Sequence, residues 1–209
     1  RSRSSQGEAT TPANLQRFYR VVLPAAPWVF GMAATGFAVV PALSSGAGES
    51  SLFYTTLAVA VTMGMGTVIQ PFVKRFNDLG KIRLIMAGLA TSLAALLLMI
   101  AVSLSGSEIL GIIAFAVAGS ANGILLVAGL SQVLDLAGSA DVGKLTGRFY
   151  MCCFIGFTFP TFFALWRTVA HPALFIGLLA VLCVLSMLQV LRSAKYLPAA
   201  KLEEVPSSP

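Results

Sequence analysis

The sequence predicts an all-α fold: an integral membrane bundle of six transmembrane helices with both termini in the cytoplasm. Three observations carry this prediction. Only 11% of the 209 residues are charged and 57% are hydrophobic, whereas a soluble domain is about 25% charged and about 45–50% apolar. Such a surface cannot be covered by water alone. Six stretches free of Asp, Glu, Lys and Arg reach or approach the ~20 residues that a helix needs to cross ~30 Å of hydrocarbon. With the start placed inside, all of the 14 Lys and Arg residues except Arg167 fall on the inner side, as orientation by basic loops requires. An odd number of spans would break that alternation.

Taken in order, residues 1–16 form a polar cytoplasmic linker, 17–195 the six-helix unit and 196–209 a cytoplasmic tail. The linker is rich in Ser and Thr and opens on Arg1 with no signal segment, so a piece of a longer chain is expected. The first span, Val21–Gly48, holds Pro24 and Pro27, which free backbone carbonyls and bend a helix. Trp28 beside them suits either an interfacial belt or a cavity. The second span, Ser50–Val73, carries Thr62, Met63, Gly64, Met65, Gly66 and Thr67, a small and adaptable surface, followed by Gln70. The third runs Leu84–Ser107. The fourth, Ile109–Leu134, is rich in glycine, and Gly119 and Gly123 have the four-residue spacing that lets helix backbones approach. Asn122 lies near its middle, where a lone amide must either bond a neighbouring helix or face a wet cavity. Gln132 follows, and Asp135 closes the span within reach of water or Arg148, as an interfacial anchor or a loop ion pair. The fifth span, Phe149–Trp166, is the shortest and is expected to start near Thr146. It holds Tyr150 at its inner end and Pro160 as a bend. Arg167 and the His171-Pro172 turn separate it from the sixth, Thr168–Leu191.

The net charge of +6 sits in inner loops beside anionic headgroups, which argues against nucleic-acid binding. Cys152, Cys153 and Cys183 lie in apolar stretches without metal-ligand spacing and read as packing residues. The single histidine, His171, has no serine or carboxylate set around it, and no phosphate-binding or zinc motif occurs. An enzyme is therefore not expected, and neither is a cofactor. No span carries a charge at mid-depth, where one usually marks an ion or proton route.

Four stretches give the chain a resemblance. Leu23-Pro24-Ala25-Ala26-Pro27-Trp28-Val29-Phe30-Gly31 and Gln70-Pro71-Phe72-Val73-Lys74-Arg75-Phe76 are two of them. The loop set Lys74, Arg75, Gly80, Lys81 and Arg83 is the third. Leu145-Thr146-Gly147-Arg148-Phe149-Tyr150 with Gly156, Phe157 and Pro160 is the fourth. Together they resemble the carboxy-terminal half, spans seven to twelve, of major facilitator superfamily transporters of the actinobacterial type. Gln70 and Lys74 replace the glycine and aspartate of the family's loop motif. The resemblance implies two inverted three-helix repeats, and a small hydrophobic or weakly polar solute, drug-like efflux included, moved by alternating access. It implies a site of Trp28, Thr62, Gln70, Asn122, Gln132 and Tyr150, and a gating set of Lys74, Arg75, Gly80, Lys81, Arg83, Asp135 and Arg148. The implied partners are the solute, the lipid bilayer of a bacterial cytoplasmic membrane and an amino-terminal six-helix half. The alternative is a six-span scaffold or an oligomeric channel without transport activity.

Overall fold

A computed structural model describes residues 9–44, 51–75 and 81–196. Among them the chain is helical without strands, and six helices are long and apolar enough to cross a membrane. We number them α1 (Pro12–Leu43), α2 (Ser51–Arg75), α3 (Lys81–Ser105), α4 (Glu108–Leu136), α5 (Val142–Trp166) and α6 (Pro172–Tyr196). The chain is a multi-pass membrane protein on this ground.

Helix ends follow local chemistry. Thr11 caps α1 by accepting from the Asn14 N–H at 3.3 Å, with Pro12 in the first turn. The helix thus starts well before the apolar run at Val21. Ser107 caps α4 by accepting from the Leu110 N–H, and Glu108 in the first turn complements the helix dipole. Gly106 supplies φ 65° in the tight α3–α4 connection, a conformation that costs glycine little. α5 begins at Val142, earlier than Thr146.

The prolines leave visible marks. A π-helical turn spans Phe18–Val22 just before Pro24, where the Leu23 N–H donates to the Phe18 carbonyl. A second spans Thr35–Val39 before Pro41, with the Val40 N–H donating to Thr35. A 3₁₀ turn at Gly156–Thr158 precedes Pro160 in α5. In each case the proline cannot donate to the carbonyl four residues back, and the backbone rewinds locally. Pro71 lies inside α2 without such a break.

α4 is the hub, packed on α1, α2, α3 and α5, while α3 also packs along α6. α1 lies against α2, α4, α5 and α6 and is the most buried span, whereas α2 and α5 are the least buried. Phe18, Met32, Leu89, Met99, Phe115 and Phe149 are among the largest core side chains.

Two crossings are closed by glycine. A Cβ on Gly119 would collide with the Thr62 carbonyl, and one on Gly123 with the Gly66 carbonyl and Ile69. Between α5 and α1, a Cβ on Gly156 would collide with the Pro27 carbonyl and Gly31. Lipid offers apolar side chains as good an environment as another helix, so close backbone packing of this kind holds spans together.

Candidate functional site

The α2–α4 crossing brings together three of the polar side chains of the spans, Thr62, Gln70 and Asn122. Thr62, Gly66 and Gln70 recur every fourth residue along α2, and α4 presents Gly119, Asn122 and Gly123 to them. Several membrane hydroxyls donate to the carbonyl one turn back, as Thr35 does to Gly31 (2.8 Å), Thr67 to Met63 (3.0 Å), Ser92 to Gly88 (2.9 Å) and Ser120 to Ala116 (2.8 Å), although Ser103 Oγ in α3 is buried without a partner among the described residues. Thr62 does not donate in this way either. It is fully buried between Gly36 of α1 and Gly119, and its Oγ1 is buried with no hydrogen-bond partner among the described residues.

Asn122 is half-buried over Gly66, where an added Cβ would stand 2.9 Å from its Nδ2. Its Oδ1 is likewise buried without a partner among the described residues. Of the two roles open to this amide, a bond from Oδ1 to a neighbouring helix is not made. Gln70 is half-buried, and its Nε2 donates to the Gly66 carbonyl at 3.1 Å. The crossing thus holds unused hydrogen-bonding capacity and no charge. It can hold water or a neutral polar group, and it cannot neutralise an ion.

The other residues expected in the site lie elsewhere. Trp28 is buried at the junction of α1, α5 and α6. Its Nε1–H donates to Ser186 Oγ at 3.1 Å and its ring meets Phe159 edge-on at 5.6 Å. Tyr150 is half-buried and stacks on Phe30 at 6.4 Å. Phe30 also contacts Phe154 and Phe157, both at 5.2 Å, and those two rings are exposed. Gln132 is buried toward the carboxy-terminal end of α4. The structure therefore brings together Thr62, Gln70 and Asn122, and separately Tyr150 with an aromatic face on α1 and α5.

That aromatic face was not anticipated. Tyr150, Phe154 and Phe157 fall at helical spacing in the sequence, which is the signal that points to it. Ser186 and Gly66, partners of Trp28 and Asn122, carry no comparable signal.

Of the gating set, Lys74 and Arg75 are exposed in the last turn of α2, Lys81 opens α3, Arg83 is exposed in its first turn, and Gly80 lies outside the described residues. Asp135 is exposed near the end of α4. Arg148 is exposed, and its Nη1 donates to Tyr19 Oη at 2.8 Å. A further contact closes this end. The Thr10 N–H donates to Asp141 Oδ2 and the Gly138 N–H donates to Thr10 Oγ1, both at 3.0 Å. The Thr10 N–H, helped by Lys144 at 3.1 Å, holds the Asp141 carboxyl below its ordinary pKa.

Among the described residues no group of three or more His, Cys, Asp or Glu side chains is placed to hold a metal ion. No model of a known protein family matches the chain, and searches of curated proteins and of solved structures likewise return no match.

Proposed function

We propose that this chain is the carboxy-terminal half of a secondary transporter of the major facilitator type, in a bacterial cytoplasmic membrane with both ends inside. It moves a small hydrophobic or weakly polar solute by alternating access. The observation that carries this reading is a symmetry of packing. Exchange α1, α2 and α3 with α4, α5 and α6, and most of the helix pairs in contact map onto pairs that are also in contact. The α2–α4 contact becomes α5–α1, α3–α4 becomes α6–α1, and α1–α4 and α3–α6 map onto themselves. That is what two three-helix repeats produce.

Glycine placement follows the same exchange. Gly119 and Gly123 on α4 correspond to Pro27 and Gly31 on α1, and Gly66 on α2 corresponds to Gly156 on α5, at nearly the same separation along the chain. The least buried spans, α2 and α5, are also equivalents under the exchange. A second six-helix unit covers their apolar faces in this reading. The uncharged α2–α4 crossing and the aromatic face of Phe30, Tyr150, Phe154 and Phe157 then border the space between the units, and both suit a neutral solute.

The test is flux. The protein with its amino-terminal unit, reconstituted in liposomes, should move a neutral apolar substrate, and Asn122→Ala should reduce flux per folded molecule. The 209-residue chain by itself should insert and carry none. Robust flux by a monomer of this chain, or none from the two units together, would refute the half-transporter reading in favour of a channel or a scaffold.

A further inference from the structure

We propose that the inner end of the α1–α6 seam is a binding site for an anionic phospholipid, with the phosphodiester held between Arg20 and Arg192. A cleft of about 520 Å³ opens there, lined by Arg20, Leu185, Leu188, Gln189, Arg192 and Ser193. Arg20 belongs to the π-helical turn Phe18–Val22, which packs directly on α6. Turns of this kind recur at functional sites because the extra residue redirects a side chain. Here the turn brings a cation from the start of the chain beside one near the end of α6.

Both guanidinium groups are exposed, and neither has a hydrogen-bond or ion-pair partner among the described residues. Arg148, by contrast, is tied to Tyr19. Two uncompensated cations facing one cleft repel each other unless an anion sits between them.

Depth selects the class of anion. The stretch of α6 from Pro172 to Arg192 rises about 30 Å at ~1.5 Å per residue, one hydrocarbon thickness. Arg192 therefore reaches the headgroup layer at the end of α6 opposite Pro172. Leu185 and Leu188 line the same cleft on the membrane side, and both are exposed. Cations at the headgroup level above exposed leucines reproduce the amphiphilic profile of one phospholipid, charged outward and apolar inward. Basic pockets between helix ends on the cytoplasmic side bind anionic headgroups for this reason. A soluble anion would leave the leucines without a role. The site depends on the spans alone and stands whether or not the protein transports a solute.

Native mass spectrometry of the delipidated chain with dioleoyl-phosphatidylglycerol or dioleoyl-phosphatidylcholine tests it. The wild type should retain one phosphatidylglycerol in preference to phosphatidylcholine. The double variant Arg20→Gln/Arg192→Gln should bind it about 30-fold more weakly, from about 1 kcal/mol per basic residue at the surface. Arg20→Lys/Arg192→Lys should restore most of the affinity, and Arg75→Gln/Arg83→Gln, which removes the same charge elsewhere, should bind like the wild type. Equal loss in the Arg75/Arg83 variant would mean general attraction to the basic face and would overturn the site. So would equal retention of phosphatidylcholine, or displacement of the lipid by millimolar inorganic phosphate. If the double glutamine variant fails to fold in phosphatidylcholine nanodiscs, the lipid preference of the wild type and the lysine variant still decides.

Discussion

Asn122 and Thr62 expose the logic of polar atoms at membrane depth. Each carries a buried oxygen without a partner among the described residues, and such an oxygen left dry costs about 1–3 kcal/mol. Asn122→Ala should therefore leave thermal stability unchanged or slightly raised while transport falls. A loss of ~0.6–1.7 kcal/mol, the scale of interhelical hydrogen bonds in membranes, would reveal a bond that this structure does not contain. Thr62→Val keeps the shape and removes the hydroxyl, and should raise stability by about 1 kcal/mol in denaturant-melting experiments. A substrate that uses the hydroxyl should protect the wild type and not the variant.

Asp141 gives a pH dependence at the same scale. Its folded pKa lies below the ordinary carboxylate value because the Thr10 N–H and Lys144 favour the charged form. The contribution of this contact is complete above the unfolded pKa of about 4. It is lost as pH falls from there through the lower folded value. The protection factor of the Thr10 amide, the intrinsic exchange rate over the observed rate at the same pH, should fall over that window and be constant between pH 6 and 8. In Asp141→Asn the acid-induced loss of protection should disappear.

At the scale of elements, the glycine crossings make a contrast testable by one chemical change. Gly119→Ala and Gly156→Ala place a methyl group against backbone of another helix, where nothing flexible can yield. Overpacking of this kind costs about 1–3 kcal/mol. Gly64→Ala and Gly147→Ala meet nothing within 4 Å and should be neutral or stabilising by up to about 1 kcal/mol. Melting temperatures of the four variants in one detergent would separate the two classes.

The spans were legible in the sequence because a bilayer demands about 20 apolar residues per crossing, a requirement written directly in composition. Their ends were less so. α1 starts at Pro12 on a threonine cap, a polar signal that hydropathy does not register. The prolines announced that α1 and α5 would be irregular, but which turn rewinds, and whether as π or 3₁₀, depends on neighbouring helices. In the candidate site, Asn122 stood out as an amide in an apolar run. That its neighbour would be Gly66 could not be read without knowing that α2 crosses α4. Trp28 and Ser186 lie 158 residues apart, and no local pattern links them.

For the whole molecule, orientation is the property that basic-residue asymmetry decides. In a background lacking Cys152, Cys153 and Cys183, a cysteine at Ser105 or Val169 should react with an impermeant maleimide from outside the cell. One at Ser139, in the α4–α5 connection, should react only after the membrane is opened. Labelling of position 139 in intact cells would reverse the topology and displace the proposed lipid cleft to the outer leaflet.

The glycine crossings have one more consequence, for tolerance to change. Where α2 meets α4 and α5 meets α1, the contact runs from backbone to backbone, and a carbonyl has the same shape whatever residue bears it. The outward side chains of those helices are therefore released from any duty to hold the bundle together. Most of them can drift, and the surfaces they present to lipid, solute or a neighbouring unit can be rewritten without disturbing the frame. In a saturation library scored for folded protein, intolerance should concentrate at Gly31, Gly119, Gly123 and Gly156. The exposed phenylalanines of α2 and α5 should accept nearly any apolar replacement.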